Sequence, residues 1–206
     1  MTGLRLILAR HAETDANVGL LLASLPPGPP LNALGLRQAD ELADALAVEP
    51  VAAVYASTAL RAQQTARPIA ERHGLTVEIT AGLHEVFMGD LEGTSGDESL
   101  AAFIAVAKAW TAGELDRAIP GGESALDAIG RFTDAIAGIR ARHSHGVVVA
   151  VTHGAVLHVS VPALAPNVAD LGERPLLPNT GQAVLDQDDT TPTGWRCVSW
   201  IGTRLE

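Results

Sequence analysis

Arg10-His11 and Thr152-His153-Gly154 are where this chain of 206 residues is best equipped to do chemistry. Imidazole titrates near neutrality and serves as nucleophile or proton carrier, and a guanidinium offers a planar fork to an oxyanion. Each histidine follows an apolar run, Leu4-Arg5-Leu6-Ile7-Leu8-Ala9 for the first and Val147-Val148-Val149-Ala150-Val151 for the second. Both runs have the length and composition of strands buried on two faces. Open α/β sheets place their ligand crevice just past the carboxyl ends of such strands. Two histidines at two strand exits, far apart in sequence, define a candidate active site.

The intervening segments supply the elements that must position them. After the first strand, His11 to Pro30 reads as a loop or short helical turn ending in Pro26-Pro27-Gly28-Pro29-Pro30, which excludes regular structure. Asn32 caps an expected helix to about Ala47, with Leu36, Ala39, Leu42, Ala43 and Leu46 on its buried face. A short strand at 51–56 leads to Ser57-Thr58, expected to cap a helix to about His73 that bends at Pro68 and ends at Gly74. Thr76 to Ile79 reads as another strand. Residues 83–120 are rich in glycine, serine and acids and read as a lid over the sheet, with one helical stretch at 100–110. Ser124 and Asp127 form a capping box for a helix that buries Leu126, Ile129, Phe132, Ile136 and Ile139. A helix from about His153 to Leu164 follows the second valine-rich strand. Gly181–Gln187 and Gly194–Ile201 close the chain as an antiparallel pair. This order predicts one domain over 1–206, a three-layer α/β/α sandwich with a mostly parallel central sheet and a small lid insertion at about 83–120.

Composition narrows the classes of function. Aromatic residues make up only 3% of a chain that is 47% hydrophobic, so aliphatic side chains must fill the core, which favours helix–sheet packing over a β-sandwich. The single cysteine, Cys197, excludes an internal disulfide and a cysteine-rich zinc site and reads as a small buried hydrophobe. No stretch has the length of a membrane span or the pattern of a signal peptide, so the chain reads as soluble and cytoplasmic. With a formal net charge of -10 and no basic cluster, it is not expected to bind nucleic acid or an anionic membrane. An anionic substrate must therefore be drawn in by a few local cations. His153 and His158 are poorly spaced for a shared metal and no H-E-x-x-H occurs, so no metal or other cofactor is expected. His84, His143 and His145 also carry no motif and read as structural or exposed.

Arg10-His11-Ala12-Glu13-Thr14-Asp15-Ala16-Asn17 resembles the R-H-G/A-E-T-x-x-N signature of the histidine phosphatase superfamily, which includes the phosphoglycerate mutases. Further similarities follow in order. Asn32 to Ala39 resembles the L-T/S-x-x-G-x-x-Q-A helix entry, and Ser57 to Ala66 resembles S-P-L-x-R-A-x-x-T-A. Leu83-His84-Glu85 with Gly89 and Glu92-Gly93 resembles the segment that carries the acid. Pro120-Gly121-Gly122-Glu123-Ser124 and Thr152-His153-Gly154 complete the set. The resemblance implies a phosphoglycerate mutase-like fold and a phosphorylated small-molecule substrate. It makes His11 the nucleophile that forms a phosphohistidine, with Arg10 and Arg61 clamping phosphoryl oxygens. His153 is expected as a further, protonated contact to the phosphate. Glu85 is expected as the general acid that protonates the leaving oxygen, and Asn17 as a donor near the phosphate, with Thr14 shaping its loop. The neighbouring Asp90, Glu92, Asp97 and Glu98 read as a solvated charge run.

Where the mutases read R-H-Y-G after the acid, this chain has Val86-Phe87-Met88-Gly89, and its insertion holds one lysine, Lys108. A substrate with a second phosphate or a carboxylate would find few partners, so the expectation is a phosphatase acting on a leaving group that is uncharged or partly apolar. A mutase-type phosphotransferase and a non-catalytic phospho-ligand module are the alternatives. The sequence leaves a homodimer open and does not name the physiological substrate.

Overall fold

The computed structural model describes residues 3–171 and 175–205; positions 1–2, 172–174 and 206, which the expected domain includes, lie outside the described residues. The elements are β1 (Leu4–Arg10), α1 (Asp15–Val18), α2 (Ala33–Leu46), β2 (Val51–Ala56), α3 (Leu60–Arg72), β3 (Val77–Ile79), α4 (Asp97–Thr111), α5 (Ala125–Arg142), β4 (Gly146–Thr152), α6 (Gly154–Leu164), β5 (Gln182–Gln187), β6 (Trp195–Trp200) and β7 (Thr203–Arg204). Short 3₁₀ turns lie at Gly89–Leu91 and Pro166–Leu171. The strands form one sheet in the order β3-β2-β4-β1-β5-β6-β7. The four strands β3, β2, β4 and β1 are parallel, and β5 to β7 continue the sheet antiparallel. The expected α/β layering and the closing strand pair are present, and β7 is an addition the sequence reading lacks.

Alternation along the two central strands separates two cores. Leu4, Leu6 and Leu8 of β1, with Val148 and Ala150 of β4, join the cluster formed with α5 and α6. Ile7 and Ala9, with Val147, Val149 and Val151, join the cluster on the opposite face, formed with α2 and α3. Both faces are covered, which explains why these strands read as continuous apolar runs.

The caps match their sequence signals in two helices. The Asn32 side chain accepts from Gly35 N–H, and Ser124 and Asp127 bond reciprocally as a capping box. Two leucines depart from expectation: Leu36 is 51% exposed and Leu126 53%. Both follow a buried small residue, Gly35 or Ala125, and one step turns a side chain about 100° around the helix. The lid is more integrated than expected, because Leu83, Val86, Met88, Val106, Trp110 and Ile119 are buried in the main core. Asp97 and Glu98 occupy the first turn of α4, where carboxylates complement the helix dipole. Among the described residues, no helix is long and apolar enough to cross a membrane.

Candidate active site

Strand register brings the two histidines together. Arg10 of β1 is paired with Thr152 of β4, and the His11 N–H continues the ladder to the Thr152 carbonyl at 2.9 Å. The imidazoles that follow sit with ring centroids 5.2 Å apart. β2 lies on the other side of β4, and its exit residue Ser57 donates its N–H to the Val151 carbonyl. Three strand ends thus converge, and α3 places Arg61 in its first turn beside them.

A cavity of about 160 Å³ opens at this point, lined by Arg10, His11, Asn17, Arg61 and Glu85 among others. That volume corresponds to roughly five water molecules. Five of the six expected site residues therefore face one space. His153 is the sixth and does not line the cavity; it is fully buried beside it.

Hydrogen bonds and burial set the state of both rings. His11 Nδ1 lies 2.7 Å from the Ala12 carbonyl, which can only accept, so Nδ1 carries a proton and in the neutral ring Nε2 keeps its lone pair. Arg61 Nη2 lies 3.0 Å from His153 Nδ1 and can only donate, so His153 carries its proton on Nε2, which donates to Ser57 Oγ at 2.7 Å. These bonds make His153 neutral, and for His11 it is burial that favours the neutral ring. Burial pushes each well below the ordinary histidine range, and the neighbouring Arg61 guanidinium pushes in the same direction. In this arrangement His153 Nδ1 accepts from Arg61, so the ring lies behind the guanidinium.

Arg61 is buried and Arg10 half-buried, and both guanidiniums are incompletely partnered. Arg10 Nη1 donates to the Leu177 carbonyl at 2.8 Å, and Arg61 Nη2 also donates to the Ala23 carbonyl at 3.1 Å. Arg10 Nε and Arg61 Nη1 are buried without a protein partner. Burial lowers both arginine pKa values, and the Glu85 carboxylate is the leading opposing influence on each. Gly28, from the proline-rich run, has φ +64°, and a Cβ there would come within 2.6 Å of Arg61 Nη1. A side chain at 28 would crowd that donor.

Glu85 is anchored at the start of α6. Its Oε1 accepts from Val86 N–H and Val156 N–H at 2.9 and 2.8 Å, and its Oε2 accepts from Ala155 N–H at 3.1 Å. The segment bearing Glu85 is stapled from α5. Arg131 donates to the carbonyls of Gly82, His84 and Glu85, and pairs with Glu123 at 2.7 Å. Burial opposes ionisation of Glu123, but the Arg131 and Phe87 N–H bonds prevail and hold its pKa below the usual range.

Asn17 and Thr14 form a capping box around α1, so the Asn17 Oδ1 is committed to the Thr14 N–H. Asn179 Nδ2 also donates to that oxygen and to the His11 carbonyl, at 3.2 and 2.9 Å. What Asn17 has left to offer a ligand is its Nδ2 donors.

Several residues that shape the site are absent from the expectations or misread there. Ser57 is not the α3 cap, whose position is Ala59; its hydroxyl bonds His153 and also accepts the Ala59 N–H. Thr65 accepts the Ala12 N–H and so ties α3 to the His11 loop. Glu92 is no solvated charge, since it accepts from the N–H and hydroxyl of buried Ser24 and secures the loop that carries Ala23. Asn179 leaves only a turn-forming Asn-Thr-Gly triplet as its trace in the sequence. Among the described residues, no cluster of histidine, cysteine and acids has the geometry to hold a metal ion.

Comparison with known proteins gives a consistent answer. The model of the histidine phosphatase superfamily (branch 1) matches residues 6–201. The chain is 30% identical over 210 residues to the PE-PGRS family protein PE_PGRS11 of Mycobacterium tuberculosis, covering 94% of this chain and 35% of that one. It thus spans about a third of that relative's length. It is 34% identical over 157 residues to a metal-independent phosphoserine phosphatase of Arabidopsis thaliana, covering 74% and 65% of the two chains. Among solved structures, the native mycobacterial glucosyl-3-phosphoglycerate phosphatase aligns with a TM-score of 0.82 at 27% identity, covering 97% of this chain and 99% of that one.

Proposed function

Starting from a chain that belongs to the histidine phosphatase superfamily, branch 1, we propose that it is a metal-independent phosphomonoester hydrolase that works through a phosphohistidine on His11. The observation that carries this reading is the pair of buried, unpartnered guanidinium donors, Arg10 Nε and Arg61 Nη1, in residues that share a cavity with the unprotonated Nε2 of His11. Buried charged donors without acceptors are costly, and an anion with several oxygens satisfies them.

In the proposed reaction, Arg10, Arg61 and the Asn17 amide hold phosphoryl oxygens while His11 Nε2 attacks phosphorus. A neutral imidazole approaches the dianion without adding charge repulsion. As the N–P bond forms and the P–O bond breaks, Glu85 gives its proton to the departing alkoxide. Glu85 then takes a proton from water as that water attacks the phosphohistidine, which releases inorganic phosphate and restores His11. His153 acts as a positioning residue that holds Arg61 in place.

Among the described residues, Arg10 and Arg61 are the cations that line the cavity, and Leu21, Leu22, Met88, Phe103 and Leu176 form much of its wall. Among those residues a second anionic group finds no further cation, which favours hydrolysis over mutase chemistry. The test is p-nitrophenyl phosphate hydrolysis in excess chelator, with rapid acid quench to trap phosphoenzyme. We expect chelator-resistant turnover and a base-stable, acid-labile phosphoryl group that is absent from His11→Ala. Loss of activity on chelation, or turnover without phosphoenzyme, would overturn the proposal.

A further inference from the structure

The catalytic cavity does not end at the reacting centre. A second cavity of about 210 Å³ continues from it between α4 and α6, and the two share Phe103, Ala155 and Leu176 as lining. Its α4 wall presents Phe103, Ile104, Ala107 and Trp110 at helical spacing. Its α6 wall is formed by Ala155, His158 and Val159. From Phe103 to Trp110 the helix rises about 10 Å, the reach of a medium-length alkyl chain. Among the described residues, Lys108 is the only formally charged one along this lining, and it is exposed to solvent. A third cavity carries the groove onward, sharing Trp110 and Val159 with the second.

We propose that this groove is the leaving-group site, and that the substrate is the monophosphate ester of an extended aliphatic alcohol. The proposal rests on the phosphatase reading and deepens it. An alkyl chain leaving the phosphoryl centre past Phe103 and Leu176 would exchange water for apolar walls on two sides. A charged or heavily hydroxylated leaving group would lose its hydration along these walls for few polar partners, chiefly Lys108, Thr111 and His158. Continuity with the catalytic cavity favours a substrate tail as the occupant over a second copy of the chain.

The experiment compares kcat/KM for ethyl, butyl, hexyl and octyl phosphate, with p-nitrophenyl phosphate as reference. Burying a methylene in a half-open groove corresponds to about a twofold gain, half the free energy of full burial, so over six methylenes octyl phosphate should exceed ethyl phosphate by on the order of 10². Ile104 and Ala107 line the groove but not the catalytic cavity. Ala107→Trp should fill the groove and Ile104→Glu should charge its rim. Each should cut the octyl preference at least tenfold with p-nitrophenyl phosphate turnover unchanged. Ile104 is 41% exposed, so its variant keeps the test open should Ala107→Trp fail to fold. A flat chain-length series with normal p-nitrophenyl phosphate turnover overturns this inference and leaves the phosphatase reading intact. A flat series with a dimer that Ile104→Glu dissociates assigns the groove to self-association and also overturns it. Absence of turnover on every ester overturns both.

Discussion

Acidification should expose the two buried neutral imidazoles. His11 and His153 both have pKa values well below 6.5, first because burial penalises the charged ring and second because Arg61 lies close. The unfolded chain carries no such penalty and takes up both protons as the pH drops below 6.5. The stability these rings contribute is therefore complete above that value and is lost as the pH falls toward the folded-state pKa values. A ring that stays neutral in the fold from pH 7 to pH 5 accounts for a loss on the order of 2 kcal/mol, and the pair for about 4 kcal/mol. In a domain of this size that corresponds to a Tm lower by roughly 8–16 °C. The assay is urea unfolding at pH 7, 6 and 5 in phosphate-free buffer, for the wild type, His11→Asn and His153→Asn. Other titrating groups are common to all three proteins, so the difference in pH dependence isolates each ring. Each variant should lose about 2 kcal/mol less than the wild type across the interval. Parallel losses in all three proteins would refute the assignment of neutral buried rings.

Other perturbations reach different parts of the site. Glu85→Gln should lower kcat by roughly 10²–10⁴ on alkyl phosphates and much less on p-nitrophenyl phosphate, whose leaving group scarcely needs a proton; equal losses would remove Glu85 from the acid role. Arg131→Met should cost about 3 kcal/mol in urea unfolding, because it leaves Glu123 and three backbone carbonyls unpaired. It should also reduce alkyl phosphate turnover by loosening the segment that carries Glu85, and an unchanged kcat would show that this staple does not position the acid. The Cys197 thiol is buried and its pKa is pushed up to about 11 by that burial, so the native protein at pH 8 should resist thiol reagents that label it readily in urea.

The parts of the site legible in the sequence are those written locally. An apolar run ending in Arg10-His11 announces both a buried strand and the residues at its exit, and Ser124 with Asp127 announces a helix start three positions apart. Glu85 was legible only through its place in an ordered set of motifs, and its seat on the α6 amides depends on a helix some 70 residues further on. Ser57 shows the limit most clearly. A serine shortly before a helix looks like a cap, but a buried imidazole nearby competes for the hydroxyl, and only the fold places His153 there. The misassigned Leu36 has a similar origin. Gly35 lies against the Glu13 main chain, where a Cβ would come within 2.0 Å of the Glu13 carbonyl oxygen, so the close approach belongs to the glycine and the leucine turns outward. Periodicity cannot see that contact, because a glycine leaves no mark on an apolar stripe.

The position of β1 also bears on when the site comes into being. This strand is translated before the other strands of the sheet, yet it lies in the interior between β4 and β5, and the Asn179 side chain and Thr180 amide bond the carbonyls at its exit. On the ribosome, the ring at position 11 emerges long before the walls that will surround it. A nascent chain that stalls before β4 and β5 has neither the neighbouring ring nor the backbone ladder that orients the reacting one. Topology thus withholds an assembled pocket until β4 and β5 have both been made, and its appearance during refolding would report completion of the whole domain.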